Sequence, residues 1–389
     1  MSTIRDADLV RTNDYADDHP EVRVLDPSGN LLPGARVPDL SDEGFLALYE
    51  GIVEARHFDE RAVSWQRQGR LATYAPMSGQ EGAQVASTLA LADDDWVFPT
   101  YREHAVRRLA GFSLPDILRG LLGVELPVGT ADEGEDGEGM ARTGPTVAPE
   151  AIPIATQLPH ATGAAMAAGY EGDEAVAVAH FGDGATSEGD FHEALNFAGV
   201  FDAPAVFLCH NNQWAISMPR RRQTASATLA QKADAYGFEG IRVDGMDPLA
   251  VYSVTEYARE KALDPDPENL RPTLVESVEY RYGAHTTADD PDVYRDDEEV
   301  AYWRDRDPLD RLETFLRDTG RLHDERVDAI ETRVERRVSE AIDAVESEAV
   351  PDPDAMFDHV TAGESPRRES QREYLRRLRD RHGDSLLRE

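Results

Sequence analysis

Asp183 and Asn212 are the residues whose type and spacing point most directly to chemistry. Asp183 lies in a Gly-Asp-Gly turn, Asn212 closes an Asn-Asn pair, and 29 positions separate them. A hydrophobic run leads into each, Ala175 to Phe181 and Ala205 to Cys209. That spacing holds one strand–helix–strand unit. Such a unit sets a carboxylate and a carboxamide at the same end of neighbouring parallel strands, where α/β sheets bind ligands. Magnesium takes octahedral oxygen ligands at short distance and often shares them between a carboxylate and phosphates. Asp183 and the Asn212 amide oxygen supply two ligands, and a main-chain carbonyl near Trp214 could supply a third. Gly182 and Gly184 flank the carboxylate and let the backbone approach a bulky anion. Ser187 and Asp190 fit a capping pattern for the next helix, whose amide-rich start would face that anion. Either motif alone is a common turn or loop. Joined by strand, helix and strand, they make a magnesium-held diphosphate the chemistry to expect.

The surrounding sequence alternates strands with helices, which indicates a parallel α/β sheet. Apolar residues at helical spacing predict a helix over Glu43 to Gln68, and others over Gly79 to Leu91 and Leu114 to Leu122. Thr156 to Gly169 is a small-residue helix suited to close packing. The helix Asp190 to Val200 lies inside the central unit. Beyond it come a helix near Leu229 to Tyr236, the strand Ile241 to Val243, the helix Pro248 to Ala262 and the strand Thr273 to Tyr280. Residues 282–302 read as a polar loop containing His285. Helices Leu309 to Asp318 and Asp324 to Ser347 follow. Residues 124–150, rich in Gly, Pro and acid, read as a loop. The expected organisation is an amino-terminal arm over 1–40, one large domain over 41–347 and a carboxyl-terminal tail over 348–389. No internal repeat is evident.

Composition narrows the class. With 40 basic and 76 acidic residues the net charge is −36, which repels nucleic acid and anionic membranes. Hydrophobic residues make up 40% of the chain, too many for an acidic disordered protein, so the acid reads as the surface of a folded protein adapted to high salt. No apolar run is long enough to span a membrane and none resembles a secretion signal, so a cytoplasmic protein is expected. The lone Cys209 ends an apolar strand and excludes a disulfide framework within the chain. The last 26 residues carry eight arginines against six acids, which fits either a solvated helix or a docking tail.

The segment from Gly182 to Asn212 closely resembles the thiamine diphosphate motif. RQGRLATYAPMSGQEGAQVAS, TYREHAVRRLAGF, IPIATQLPHATGAA, QKADAYG, VDGMDPLAVY and YRYGAHTTADDPDVYR extend the likeness, in order, from about Val22 to the carboxyl end. The chain resembles the alpha subunit of the first, decarboxylating component of 2-oxoacid dehydrogenase complexes. It is most similar to the pyruvate dehydrogenase type, then to the branched-chain 2-oxoacid type. The resemblance implies a thiamin diphosphate-binding α/β fold: a parallel sheet flanked by helices, with helical extensions at both ends.

It further implies that Asp183, Asn212 and the Trp214 carbonyl hold Mg2+. Tyr101 and Arg102 would contact the diphosphate of thiamine diphosphate, with backbone contacts from Gly182, Gly184 and Ala185. The main chain at Ile152 and Ile154 would meet the aminopyrimidine. His285 would lie near the diphosphate and help pass the acyl group to lipoamide. The implied reaction is oxidative decarboxylation of a small 2-oxoacid, with pyruvate favoured and a branched-chain 2-oxoacid next. The implied partners are a beta subunit, two of each chain assembling, and a lipoyl-bearing second component. His210 stands where branched-chain members tend to carry an arginine that reaches the diphosphate. Thr286 stands where animal members carry a phosphorylated serine. Acetoin dehydrogenase and a transketolase half are other thiamine readings. The His285 loop and the Tyr-Arg pair disfavour transketolase but not acetoin dehydrogenase. A non-enzymatic acidic α/β scaffold, with Asp183 and Asn212 as mere turn residues, is the alternative from another class.

Overall fold

The computed structural model describes residues 11–12, 19–123, 144–348, 353–358, 360, 362–363 and 365–383. Most of the acidic loop expected over 124–150 lies outside the described residues. In chain order the elements are β1 (Arg11–Thr12), β2 (Glu21–Val22), α1 (Asp42–Arg67), α2 (Glu81–Leu89), β3 (Trp96–Phe98), α3 (His104–Leu109), α4 (Leu114–Leu121) and β4 (Thr146–Val147). The central unit is α5 (Gln157–Glu171), β5 (Ala177–Gly182), α6 (Gly189–Phe201) and β6 (Ala205–Asn211). Then come the hairpin β7 (Trp214–Ala215) and β8 (Met218–Pro219), α7 (Arg220–Gln223), β9 (Glu239–Asp244), α8 (Pro248–Leu263) and β10 (Thr273–Val278). Helices α9 (Asp297–Arg304), α10 (Pro308–Asp318), α11 (Asp324–Glu346) and α12 (Pro366–His382) complete the described chain.

The sheet runs β1-β2-β9-β10-β6-β5-β3-β4. Every pair is parallel except β1 with β2. Strands β5, β6 and β10 are buried along almost their whole length because both of their faces are covered. Alanines let α5 approach closely: Ala161 and Ala165 are fully buried and share a core with Phe181, Phe191, Leu195 and Phe207. The expected α/β architecture is therefore present. Among the described residues no helix is long and apolar enough to cross a membrane.

Three local expectations need correction. Helix α6 starts at Gly189 after Glu188, with no side-chain cap; Ser187 instead ends a short 3-10 turn, Asp183–Ser187. That extra turn displaces the helix start from the Gly-Asp-Gly corner, so Ser187 and Asp190 form no capping pair. Residues 282–302 are not only loop, since Asp296 caps α9 there with its side chain. The segment read as a helix near residue 229 is a 3-10 helix, Ala230–Tyr236.

The chain forms two compact units, residues 1–342 and 343–389. Within the second unit, Arg372 on α12 donates to Asp358 at 2.6 Å and Arg376 pairs with Asp354, beside the 3-10 turn Pro353–Phe357.

One buried carboxylate ties the first unit together. Asp247 caps α8 through the amides of Leu249 (3.1 Å) and Ala250 (3.2 Å). Its other oxygen accepts from the amides of Val24 (2.7 Å) and Leu25 (2.6 Å), 223 and 222 positions away. Arg311 of α10 lies 3.7 Å from it, bonds Asp244 at 3.0 Å and reaches the Leu25 carbonyl at 2.7 Å. Removing Asp247 leaves the amides of Val24, Leu25, Leu249 and Ala250 without this acceptor and leaves Asp244 as the carboxylate facing the buried Arg311. Asp247→Ala should therefore destabilise the protein by about 3–5 kcal/mol, read as a lowered denaturant midpoint. A loss within experimental error would show that this knot is dispensable.

Candidate functional site

The carboxyl ends of five adjacent parallel strands open on one crevice. Tyr101 and Arg102 follow β3, Ile152 and Ile154 follow β4, and the Gly182–Ala185 turn ends β5. Asn212 and Trp214 follow β6, and Arg281 and His285 follow β10. The parallel register aligns Gly182 with His210 and Val278 with Asn211, so these ends are level.

The two asparagines of the pair divide the work. Asn211 is structural: its Nδ2 donates to Glu276 at 2.7 Å, and the other Glu276 oxygen accepts from the amides of Leu229 and Ala230. Asn212 faces the crevice. Its Nδ2 donates to Gln80 Oε1 at 2.8 Å, and its Oδ1 accepts from the Trp214 amide at 3.2 Å. Gln80 follows Gly79, whose φ is +90° and where a Cβ would fall 2.1 Å from the Tyr280 carbonyl oxygen, so that only glycine fits.

Asp183 is 1% exposed. Gln223 Nε2 donates to its Oδ2 at 2.6 Å. No cation of the protein is within ion-pair distance of it among the described residues, and burial pushes its carboxyl up to about 6 despite Gln223 and the more distant Arg281. A Cβ at Gly182 would meet nothing within 4 Å, whereas one at Gly184 would fall 2.9 Å from Ala215. The turn thus packs against β7 on one side and opens to free space on the other.

Across the crevice two guanidinium groups converge. Arg102 and Arg281 are 5% and 0% exposed, and each places a nitrogen 3.2 Å from His285 Nδ1. Arg102 also donates to the carbonyls of Pro76 and His285, and Arg281 to the Ile216 carbonyl and Tyr294 hydroxyl. Among the described residues Arg102 has no carboxylate within ion-pair distance, and Arg281 has only Asp289 at 3.8 Å. Burial and the neighbouring Arg102 hold Arg281 below its ordinary pKa. Burial and both guanidiniums push His285 down to about 4, so its ring is neutral at pH 7. Nδ1 accepts from the arginines, which leaves the proton on Nε2. Tyr101 meets the ring edge-on at 6.1 Å, and Asp289 fixes the loop by accepting from the His285 amide at 2.6 Å.

Two like charges buried side by side favour an anion between them, and a buried carboxylate opposite favours a cation. Arg281 Nε, Gln80 Nε2 and Gln223 Oε1 are buried without partners, and space lies open above Gly182. The described residues gather no trio of His, Cys, Asp or Glu that could hold a metal. A cation at Asp183 must therefore share its shell with neutral and ligand oxygens, as Mg2+ on a diphosphate does. The residues fit that pair.

The remaining sites are less enclosed. The Trp214 carbonyl receives a long 3.5 Å contact from Arg281. Ile152 and Ile154 are exposed apolar residues between β4 and α5. His210 does not reach the crevice. It is buried between His180 (3.0 Å) and Glu279 (2.9 Å), and that carboxylate raises its pKa against the opposing effect of burial. Sequence reasoning missed Arg281, Gln80 and Gln223. The signal for Arg281 was an arginine just beyond a strand, within the quoted YRYGAH segment.

Residues 50–354 match the family described as "Dehydrogenase E1 component". The chain is 45% identical over 356 residues to "3-methyl-2-oxobutanoate dehydrogenase subunit alpha" of Mycobacterium tuberculosis, covering 91% of this chain and 93% of that one. It is 41% identical over 331 residues to "Pyruvate dehydrogenase E1 component subunit alpha" of Staphylococcus aureus, covering 85% of each.

The burial of Asp183 makes a signed prediction. Its folded pKa lies above the unfolded value of 3.8, so the penalty is absent at low pH. It grows as pH rises from about 4 to about 6 and is complete above, about 3 kcal/mol at most. Asp183→Asn should thus raise the melting temperature of the metal-free protein at pH 8, with the gain shrinking toward pH 4. A lower melting temperature at pH 8 would contradict this charge burial.

Proposed function

The chain belongs to the dehydrogenase E1 component family, as the alpha subunit of a 2-oxoacid dehydrogenase, and we propose how its residues serve that reaction. The observation that carries the reading is the meeting of Arg102, Arg281 and His285 with Asp183 and Asn212 at one sheet end. Thiamine diphosphate, when bound, supplies the electron sink for decarboxylating a 2-oxoacid.

Arg102 and Arg281 hold the diphosphate, for which a guanidinium fork is suited. Tyr101 packs beside them, and the backbone of Gly182, Gly184 and Ala185 lines the opposite wall. Asp183, Asn212 and the Trp214 carbonyl hold Mg2+. The exposed Ile152 and Ile154 supply main-chain contacts to the aminopyrimidine. His285, neutral and protonated on Nε2, donates that proton in a hydrogen bond as the acyl group passes to the lipoyl arm of the second component. A beta subunit completes the site, in an assembly of two alpha and two beta chains. The acidic surface suits a cytoplasmic complex working in concentrated salt.

The substrate is a short aliphatic 2-oxoacid. The motif resemblance favours pyruvate. A branched-chain 2-oxoacid is the second reading, favoured by the higher identity and wider coverage of the mycobacterial relative. Acetoin remains a third.

Co-expression with the beta subunit and cofactor-dependent turnover in molar salt decide among them. Higher kcat/KM for pyruvate than for 4-methyl-2-oxopentanoate is expected, and the reverse order would replace pyruvate with the branched substrate. Separately, His285→Ala should slow acyl transfer to lipoamide by about 10²-fold or more while Mg2+ binding persists. Lost metal affinity with transfer intact would refute the role given to His285.

A further inference from the structure

Two glutamines touch the two side chains assigned to the cation. Gln80, 1% exposed, accepts from Asn212 Nδ2 through Oε1. Gln223 closes the short α7 and donates from Nε2 to Asp183 Oδ2. The β7–β8 hairpin folds Gln223 back over the Asp183 turn. Its shape is set by Gln213 (φ 74°) and Ile216 (φ 56°), and Gln223 also donates to the Met218 carbonyl at 3.0 Å. In each glutamine the far end of the carboxamide is buried without a partner: Gln80 Nε2, a donor, and Gln223 Oε1, an acceptor. Leaving such a group unsatisfied is destabilising. Both orphans occur on the residues that grip the two ligands.

We propose that Gln80 and Gln223 are positioning residues for the cation–diphosphate group. Gln80 holds the Asn212 amide nitrogen, which commits its Oδ1 to the cation side. Gln223 holds Asp183 Oδ2 and leaves Oδ1 for the metal. The free ends are complementary to what binds: the Gln80 donor suits a phosphate oxygen, and the Gln223 acceptor suits a water of the cation's shell. A partner that fixes a metal ligand from outside commonly governs affinity 10–100-fold. This inference rests on Asp183 and Asn212 being the cation's ligands.

The test is thermal melting of the alpha–beta complex at saturating thiamine diphosphate, titrated with MgCl2, for wild type, Gln223→Ala and Gln80→Met. Melting in EDTA should be little changed by Gln223→Ala, while the Mg2+ midpoint rises about 10–100-fold. A purely structural glutamine would lower the EDTA melting point and leave the midpoint alone. Gln80→Met keeps the volume and removes both polar ends, and should raise the midpoint likewise. If it does not assemble, Gln223→Ala, on a half-buried turn, carries the test. Wild type responding with both variants at the wild-type midpoint overturns this inference alone. Wild type failing to respond to Mg2+ overturns the assignment of Asp183 and Asn212 beneath it.

Discussion

Buried charge left uncompensated by the protein is the constraint on which the rest depends. Arg102 and Arg281 lie together on His285 with one carboxylate 3.8 Å from one of them. Asp183 is enclosed, and among the described residues only neutral groups, the Gln223 carboxamide and backbone amides of its own turn, bond to it. Each desolvated ion costs several kcal/mol unless matched. A protein selected for stability alone would place apolar residues at these positions. The arrangement makes sense when an anion bridges the arginines and a cation bridges that anion to Asp183. The sheet provides the dry floor, and its parallel strands bring all the groups to one end.

The same constraint sorts the histidines. His210 directly precedes the Asn-Asn pair and looks like a site residue in sequence. It is spent in the core, locked by Glu279 and His180. His285 is many residues from either motif, yet it faces both arginines and is held neutral by them. Distance along the chain says little here; the strand register decides which way each residue faces.

The α/β class and the central strand–helix–strand unit were legible because β5 and β6 are continuous apolar runs joined by a helix of suitable length. The placement of Asp183 and Asn212 at neighbouring strand ends was legible because glycines bracket the one and its spacing from the other fits a single unit. Arg281 was not, since an arginine at a strand end carries no motif of its own and its value appears only when Arg102, from β3, arrives beside it. Gln80 and Gln223 were hidden for the same reason: each bonds a side chain 132 or 40 positions away. Local pattern also misled. Ser187 and Asp190 read as a helix cap, but an intervening 3-10 turn moved the helix start. Asn211 and Asn212 are chemically identical in sequence, and only their partners Glu276 and Gln80 separate scaffold from site.

The central claim is that Asp183 and the arginine pair are joined through one cation–diphosphate group. Calorimetric titration of the alpha–beta complex with thiamine diphosphate, with and without Mg2+, tests it most directly. Tight binding that requires Mg2+ and disappears in Asp183→Ala is the predicted result. Equal affinity without the metal, or in Asp183→Ala, would contradict it.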